Sequence, residues 1–269
     1  MQESEEIAFG RRIDIHTHIG SSLSDPPKVW ERIIRQAAHF GITRLVALGN
    51  LGGFEESWDP SPDLITRTNT YTLELIARHP DVCMGFCYLN PANPVRFLED
   101  EIERCVVKGG MRGIKFEVAV KATDSRLDPI MCRARALGIP VLHHSWYNVL
   151  SPVYNESTPA DMANLGRRFP EVTIIMAHLG GGRERGVLDI MDVPNILVDT
   201  AGSQPESGMV EYAVQRLGAE RVIYGSDHPI RDFGAQLGRV LGAQLSVEER
   251  ELILYGNAAR VLGLEGEAP

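Results

Sequence analysis

Eight short β-like runs alternate with longer amphipathic segments through this chain of 269 residues, and few architectures accommodate that rhythm. The strand candidates are Arg12–His18, Thr43–Gly49, Val82–Leu89, Gly113–Glu117, Pro140–Trp146, Thr173–Leu179, Asn195–Thr200 and Arg221–Ser226. Several are continuous apolar runs rich in branched residues, as parallel strands buried on both faces require. Helical patterns lie between them, over Lys28–Phe40, Asp63–Arg78, Pro94–Val107, Asp128–Leu137, Pro159–Arg168, Arg183–Met191, Gly208–Leu217 and Phe233–Leu241. A last helix is expected over Val247–Leu262, opened by a capping box of Ser246 and Glu249. Gly41 and Gly138 stand just past their helices, where a left-handed cap is wanted. This alternation predicts a single (β/α)8 TIM barrel over residues 1–269, close to the roughly 250 residues typical of that fold. An open doubly wound sheet is the alternative. It would usually have fewer strands, and no glycine fingerprint follows the first strand.

The barrel expectation turns sequence positions into geometry. Six of the eight histidines fall at the C-terminal ends of strand candidates: His16 and His18, His143 and His144, His178, and His228. Asp227 joins them at the end of strand eight. In this fold all those ends meet on one face, where active sites lie. His16 and His18 are two apart on a strand, so both side chains point to the same side. A buried cluster of imidazoles with a carboxylate is costly unless a cation organises it. One divalent metal therefore follows, with a coordination position left for water. Zinc is the expected ion, and manganese or another divalent ion is the alternative. Of the strand-five pair, alternation lets only one face inward. His39 and His79 lie near helix C-termini and read as surface residues.

The segments IDIHTHIG, LHHSW, MAHLGGG and YGSDHP resemble, in order, the motifs of the amidohydrolase superfamily. Together with the GIKF run, they are most similar to its amidohydrolase-related branch, amidohydrolase 2, over about residues 12 to 260. The resemblance implies a TIM-barrel hydrolase with metal ligands His16, His18, His144 and Asp227. Counting from GIPV selects His144 over His143. It implies that His178 contacts substrate or the attacking water, and that Asp227 also moves the proton. Hydrolysis of a small lactone, ester or amide bearing a carboxylate is the reaction expected. A metal-dependent non-oxidative decarboxylase of the same branch is the alternative, set behind hydrolysis because the chain is compact. A non-catalytic metal-binding protein is the remote third reading. Lys115 stands where some relatives carry a bridging carboxylated lysine. It is read here as an ammonium that binds a substrate carboxylate or pairs with Glu117. Trp146, Arg183 and His228 are the other candidate substrate contacts. Tyr147 is a further pocket candidate, Trp58 a candidate lid, and Gly180–Gly182 a tight turn. His228 could instead support the turn with Pro229. No Gly-x-Ser-x-Gly elbow is present.

Charge narrows the partners. Asp and Glu total 36 against 27 Lys and Arg, a net charge of −9 with no basic stripe, so a small molecule rather than nucleic acid is expected. No apolar run approaches the roughly 20 residues that span a bilayer. The segment MQESEEIAFGRR has no apolar core of a signal peptide. A cytoplasmic location is the corresponding expectation, with homo-oligomerisation left open. Cys83 and Cys87 lie in one strand run, four residues and roughly 13 Å apart, too far for a disulfide.

Overall fold

The computed structural model describes residues 10–18, 26–49, 58–147, 155–181, 183–202 and 206–266, with only the backbone of residues 26, 27 and 183. The chain forms eight strands: β1 (Arg12–Thr17), β2 (Ile42–Ala47), β3 (Cys83–Leu89), β4 (Gly113–Phe116), β5 (Val141–His143), β6 (Ile174–Met176), β7 (Ile196–Asp199) and β8 (Val222–Ile223). They pair in sequence order, each parallel to the next. The circuit closes through backbone bonds from Ile15 N–H to the Tyr224 carbonyl, 3.1 Å, and from Asp227 N–H to the His16 carbonyl, 2.7 Å. His18 N–H adds a third, 2.7 Å from the His228 carbonyl. The expected (β/α)8 TIM barrel is the fold.

Helices α1 (Pro26–His39), α2 (Pro62–Arg78), α3 (Val95–Ile102), α4 (Asp128–Leu137), α5 (Pro159–Arg168), α6 (Arg183–Asp189), α7 (Met209–Leu217) and α8 (Phe233–Leu241) alternate with the strands. The last helix comes in three pieces: α9 (Val247–Glu251), a π-helical turn over Leu252–Gly256, and α10 (Asn257–Val261). Local chemistry explains several starts and stops. Thr158 and Asp161 form a reciprocal capping box at α5, and Ser246 and Glu249 form the one expected at α9. Gly138 ends α4 at φ 65°, a left-handed conformation that glycine adopts without steric cost.

Strand alternation sorts side chains into two sets. Ile114, Phe116, Val141, Ile174 and Val198 pack outward with helix residues such as Leu98, Met131, Met162 and Val210. Leu142, Ile175, Phe86 and Ile223 belong to a second, smaller cluster. Lys115 pairs across the sheet with Leu142, and Phe116 with His143. His143 therefore lies on the helix side, fully buried, with its ring 5.6 Å from Phe116. His144 takes the opposite side. The four cysteines are free thiols, as expected for Cys83 and Cys87. Among the described residues no helix is long and apolar enough to cross a membrane.

Candidate active site

Strand ends supply the polar residues, and two of these stand in unusual backbone. His178 has φ 74° and Asp227 has φ 64°; among the described residues these are the non-glycine positive values. Histidine and aspartate tolerate this region better than most residues, though at a cost. Both side chains lie against His16 at the end of β1. Ligand atoms of His16, His178 and Asp227 lie within 4.8 Å of one another, all three residues buried. His18 Nε2 sits 3.3 Å from Asp227 Oδ1, His16 Nε2 3.5 Å from the same oxygen, and His178 Nε2 4.0 Å from Oδ2. The His16 and His178 rings stack at 5.2 Å.

The donor chemistry fits a divalent cation. Among the described residues, His16 Nε2 and His178 Nδ1 are buried without a hydrogen-bond partner, an expense that structures carry where something else satisfies the atom. Burial, reinforced by the charge of neighbouring His144, pulls the His178 imidazole down to about 3, so it is neutral at pH 7. Burial works to raise the Asp227 carboxyl. The His18 hydrogen bond and the surrounding histidines outweigh it and hold Asp227 well below the usual carboxylate range. Neutral imidazole beside ionised carboxylate is the ligand set that zinc and manganese accept.

Around this core stands a ring of carboxylates that the histidine pattern did not reveal. Asp199, at the end of β7, accepts from His16 Nδ1 at 2.7 Å. Its other oxygen accepts from the backbone N–H of His178 at 2.8 Å and of Ala201 at 3.1 Å. Asp14 accepts from the backbone N–H groups of His16 and Ser226, both 3.0 Å. Glu117 pairs with Lys115 Nζ at 2.8 Å and lies 3.7 Å from His144 Nδ1. Glu156 meets His144 Nε2 at 2.6 Å. The available signal was a carboxylate at the end of an apolar strand run, as in LVDT and GIKFE.

The expected site residues are distributed unevenly. His16, His18 and Asp227 converge, and His178 rather than His144 completes the tightest group. His144 remains adjacent, its ring 4.8 Å from that of His178, but both its nitrogens face carboxylates. Lys115 is fully buried and donates to Glu117 and to the Phe116 carbonyl, 3.0 Å, which is the ion-pair alternative. Trp146 borders the site, its ring edge-on to His178 at 5.4 Å. Gly181 and Gly202 make room there, since a Cβ on either would meet the indole at 2.9 Å and 3.4 Å. Tyr147 instead donates its hydroxyl to Asp189 on α6. His228 stacks flat on Phe233, 4.0 Å apart, in the supporting position beside Pro229. The Arg183 side chain, Gly182, and residues 50–57 of the loop that bears Trp58 lie outside the described residues.

Residues 13–264 match a family model described as amidohydrolase. No curated protein matches the sequence. Among solved structures, the chain is similar to 2,6-dihydroxybenzoate decarboxylase from Rhizobium, at 16% identity and TM-score 0.75 over 95% of this chain and 99% of that one. It is similar to a dihydroxybenzoic acid decarboxylase from Polaromonas sp. JS666 with bound manganese and the inhibitor 2-nitroresorcinol, at 17% identity and TM-score 0.77 over 95% and 98%. A 4-oxalomesaconate hydratase from Rhodopseudomonas palustris matches at 18% identity and TM-score 0.67 over 94% and 95%. The decarboxylase matches run through nearly all of both chains.

Proposed function

The chain belongs to the amidohydrolase family, and from that premise we propose that it is a metal-dependent non-oxidative decarboxylase acting on a small hydroxylated aromatic acid. The observation that carries this reading is the nearly full-length likeness to two dihydroxybenzoate decarboxylases. It replaces lactone, ester or amide hydrolysis, the reaction first expected, as the leading activity. His16, His18, His178 and Asp227 would hold the cation, with His144 within reach. Manganese is the favoured ion, since the Polaromonas enzyme holds it. When bound, the cation supplies Lewis acidity toward substrate oxygens.

The chain's own residues do the rest. Replacing a ring-bound carboxylate by hydrogen releases CO2 and requires a proton at the ring carbon. Asp227, buried and ionised beside His178, would take a proton from the substrate's own hydroxyl group and hand it to the ring carbon as the carbon–carbon bond breaks and CO2 leaves, the phenolate product regaining a proton from solvent. Trp146 offers a flat apolar wall next to His178 for an aromatic ring. Burial of the pocket residues keeps bulk water away from these groups.

The test is a substrate panel on manganese- and zinc-loaded protein. Hydroxybenzoates should release CO2 and give the corresponding phenols, while lactones, esters and amides of similar size stay intact. Turnover of a lactone or amide with no CO2 from any hydroxybenzoate would return the protein to hydrolysis.

A further inference from the structure

We infer that Asp199 is the positioning residue of the metal centre, fixing both the proton on His16 and the backbone of His178. The inference rests on the metal reading above and concerns a residue that no histidine motif marks. Asp199 is fully buried at the end of β7 and divides its carboxylate between two tasks. Oδ2 lies 2.7 Å from His16 Nδ1, and Oδ1 accepts the His178 and Ala201 N–H groups.

The first task decides which nitrogen of His16 can bind a cation. An ionised carboxylate only accepts hydrogen bonds, so His16 Nδ1 must carry a proton. In a neutral ring that leaves the lone pair on Nε2. Nε2 is buried, has no hydrogen-bond partner among the described residues, and faces Asp227 Oδ1 at 3.5 Å. Two acceptors so placed repel unless a cation lies between them. The proton on Nδ1 thus turns His16 into a ligand aimed at the shared point.

The second task holds His178 at φ 74° through its own N–H. That conformation turns the imidazole toward His16 and Asp227. One side chain of β7 thereby sets two ligands carried by β1 and by the end of β6. The space is made by Gly225, where a Cβ would lie 2.8 Å from His16 Cβ and 3.4 Å from Asp199 Cβ and Cγ.

Asp199→Asn separates the tasks. Its carbonyl can still accept from His178 and Ala201, but its NH2 would face Nδ1 and push the ring proton to Nε2, where it blocks the lone pair. Affinity for Mn2+ and Zn2+, measured by chelator competition, should fall about 10- to 100-fold, as for other outer partners of metal-binding histidines. Circular dichroism of the apo protein should stay native. In 15N-labelled wild type, His16 Nδ1 should carry a proton whether or not metal is present. A wild type with no proton on Nδ1, or a folded Asn variant that binds metal as tightly as wild type, overturns the inference. If Asp199→Asn does not fold, the wild-type proton assignment still decides it. Wild type that binds neither ion sinks the metal reading instead, and the Nδ1 measurement then judges Asp199 alone.

Discussion

Asp227 combines a left-handed backbone, burial and a carboxyl held ionised by its histidine neighbours. Backbone of this kind costs on the order of 1–3 kcal/mol and persists where surrounding bonds over-determine it. Here the Asp227 N–H is tied to the His16 carbonyl at 2.7 Å. Asp227→Asn keeps size and shape but cannot take or give the proton. It should lower kcat by at least about 10²-fold with native circular dichroism and bound metal, checked on whichever substrate the panel identifies. Retained turnover in metal-loaded variant would move the proton to another group, His178 first. Lys115 and Glu117 make a second residue-scale case. Burial works to raise Glu117, but the charges of Lys115, His144 and His18 outweigh it and bring it down to about 2. Its folded value lies below the unfolded one, near 4.5, so the pair's contribution is complete above about 4.5 and lost as pH falls toward 2. Glu117→Gln leaves the Lys115 ammonium buried without its carboxylate and should cost about 3–5 kcal/mol in urea unfolding at pH 7. The difference from wild type should shrink below pH 4.5. An unchanged midpoint at pH 7 would show that the pair is not structural. Histidines and Asp227 were legible in sequence because strand ends converge in a barrel. Glu117 was legible only as the partner of Lys115, and Asp199 and Glu156 were not legible, because an isolated acid in a loop or strand end reads the same whether it is solvated or bonded to a histidine.

Helix α4, helix α5 and helix α8 fall where sequence pattern places them, because each has a clear boundary: Gly138 behind one, Thr158 and Asp232 ahead of the others. The strands are shorter than their apolar runs. The regular ladders stop at His143, Met176 and Ile223, and beyond them single backbone bonds continue, from His144 N–H to Phe116, from Ala177 N–H to His143 and from Asp227 N–H to His16. Hydrophobicity alone does not register that thinning of the ladder. The π-helical turns at Glu103–Lys108 and Leu252–Gly256 were equally invisible, as an added residue in one turn barely disturbs an apolar stripe. One close element contact joins the end of β8 to β1. Gly225→Ala would place a methyl 2.8 Å from His16 Cβ, against backbone-anchored atoms that cannot swing away. Overpacking of this kind costs typically about 1–3 kcal/mol. The variant should show a lower Tm and weaker metal binding together, read by calorimetry and chelator competition. Loss of Tm with wild-type metal affinity would mean that β8 shifts while His16 stays in place.

Whole-molecule stability should depend on the metal, because the site is assembled from strands that are distant in sequence. His16 comes from β1, His18 from just beyond it, His178 from beyond β6 and Asp227 from beyond β8, so an ion bound there closes the barrel across the junction of its first and last strands. The unfolded chain has no equivalent site, and a ligand that binds only the folded state stabilises it by RT ln(1 + [L]/Kd). At about 100 times Kd that is roughly 2.7 kcal/mol, or some 5–10 °C in Tm for a domain of this size. Protein stripped with chelator should therefore melt lower and recover stepwise with added Mn2+ or Zn2+, the rise growing with the logarithm of ion concentration. A His16→Ala/His18→Ala double variant should melt at one temperature whatever the ion concentration, since two donors that face Asp227 are gone. Removal of the two rings also relieves the crowding of unpartnered imidazole beside carboxylate, so its metal-free Tm should not fall far below that of stripped wild type. If the double variant still gains Tm with metal, the stabilising ion sits elsewhere, and the convergence of strand ends at this pole does not make the metal centre.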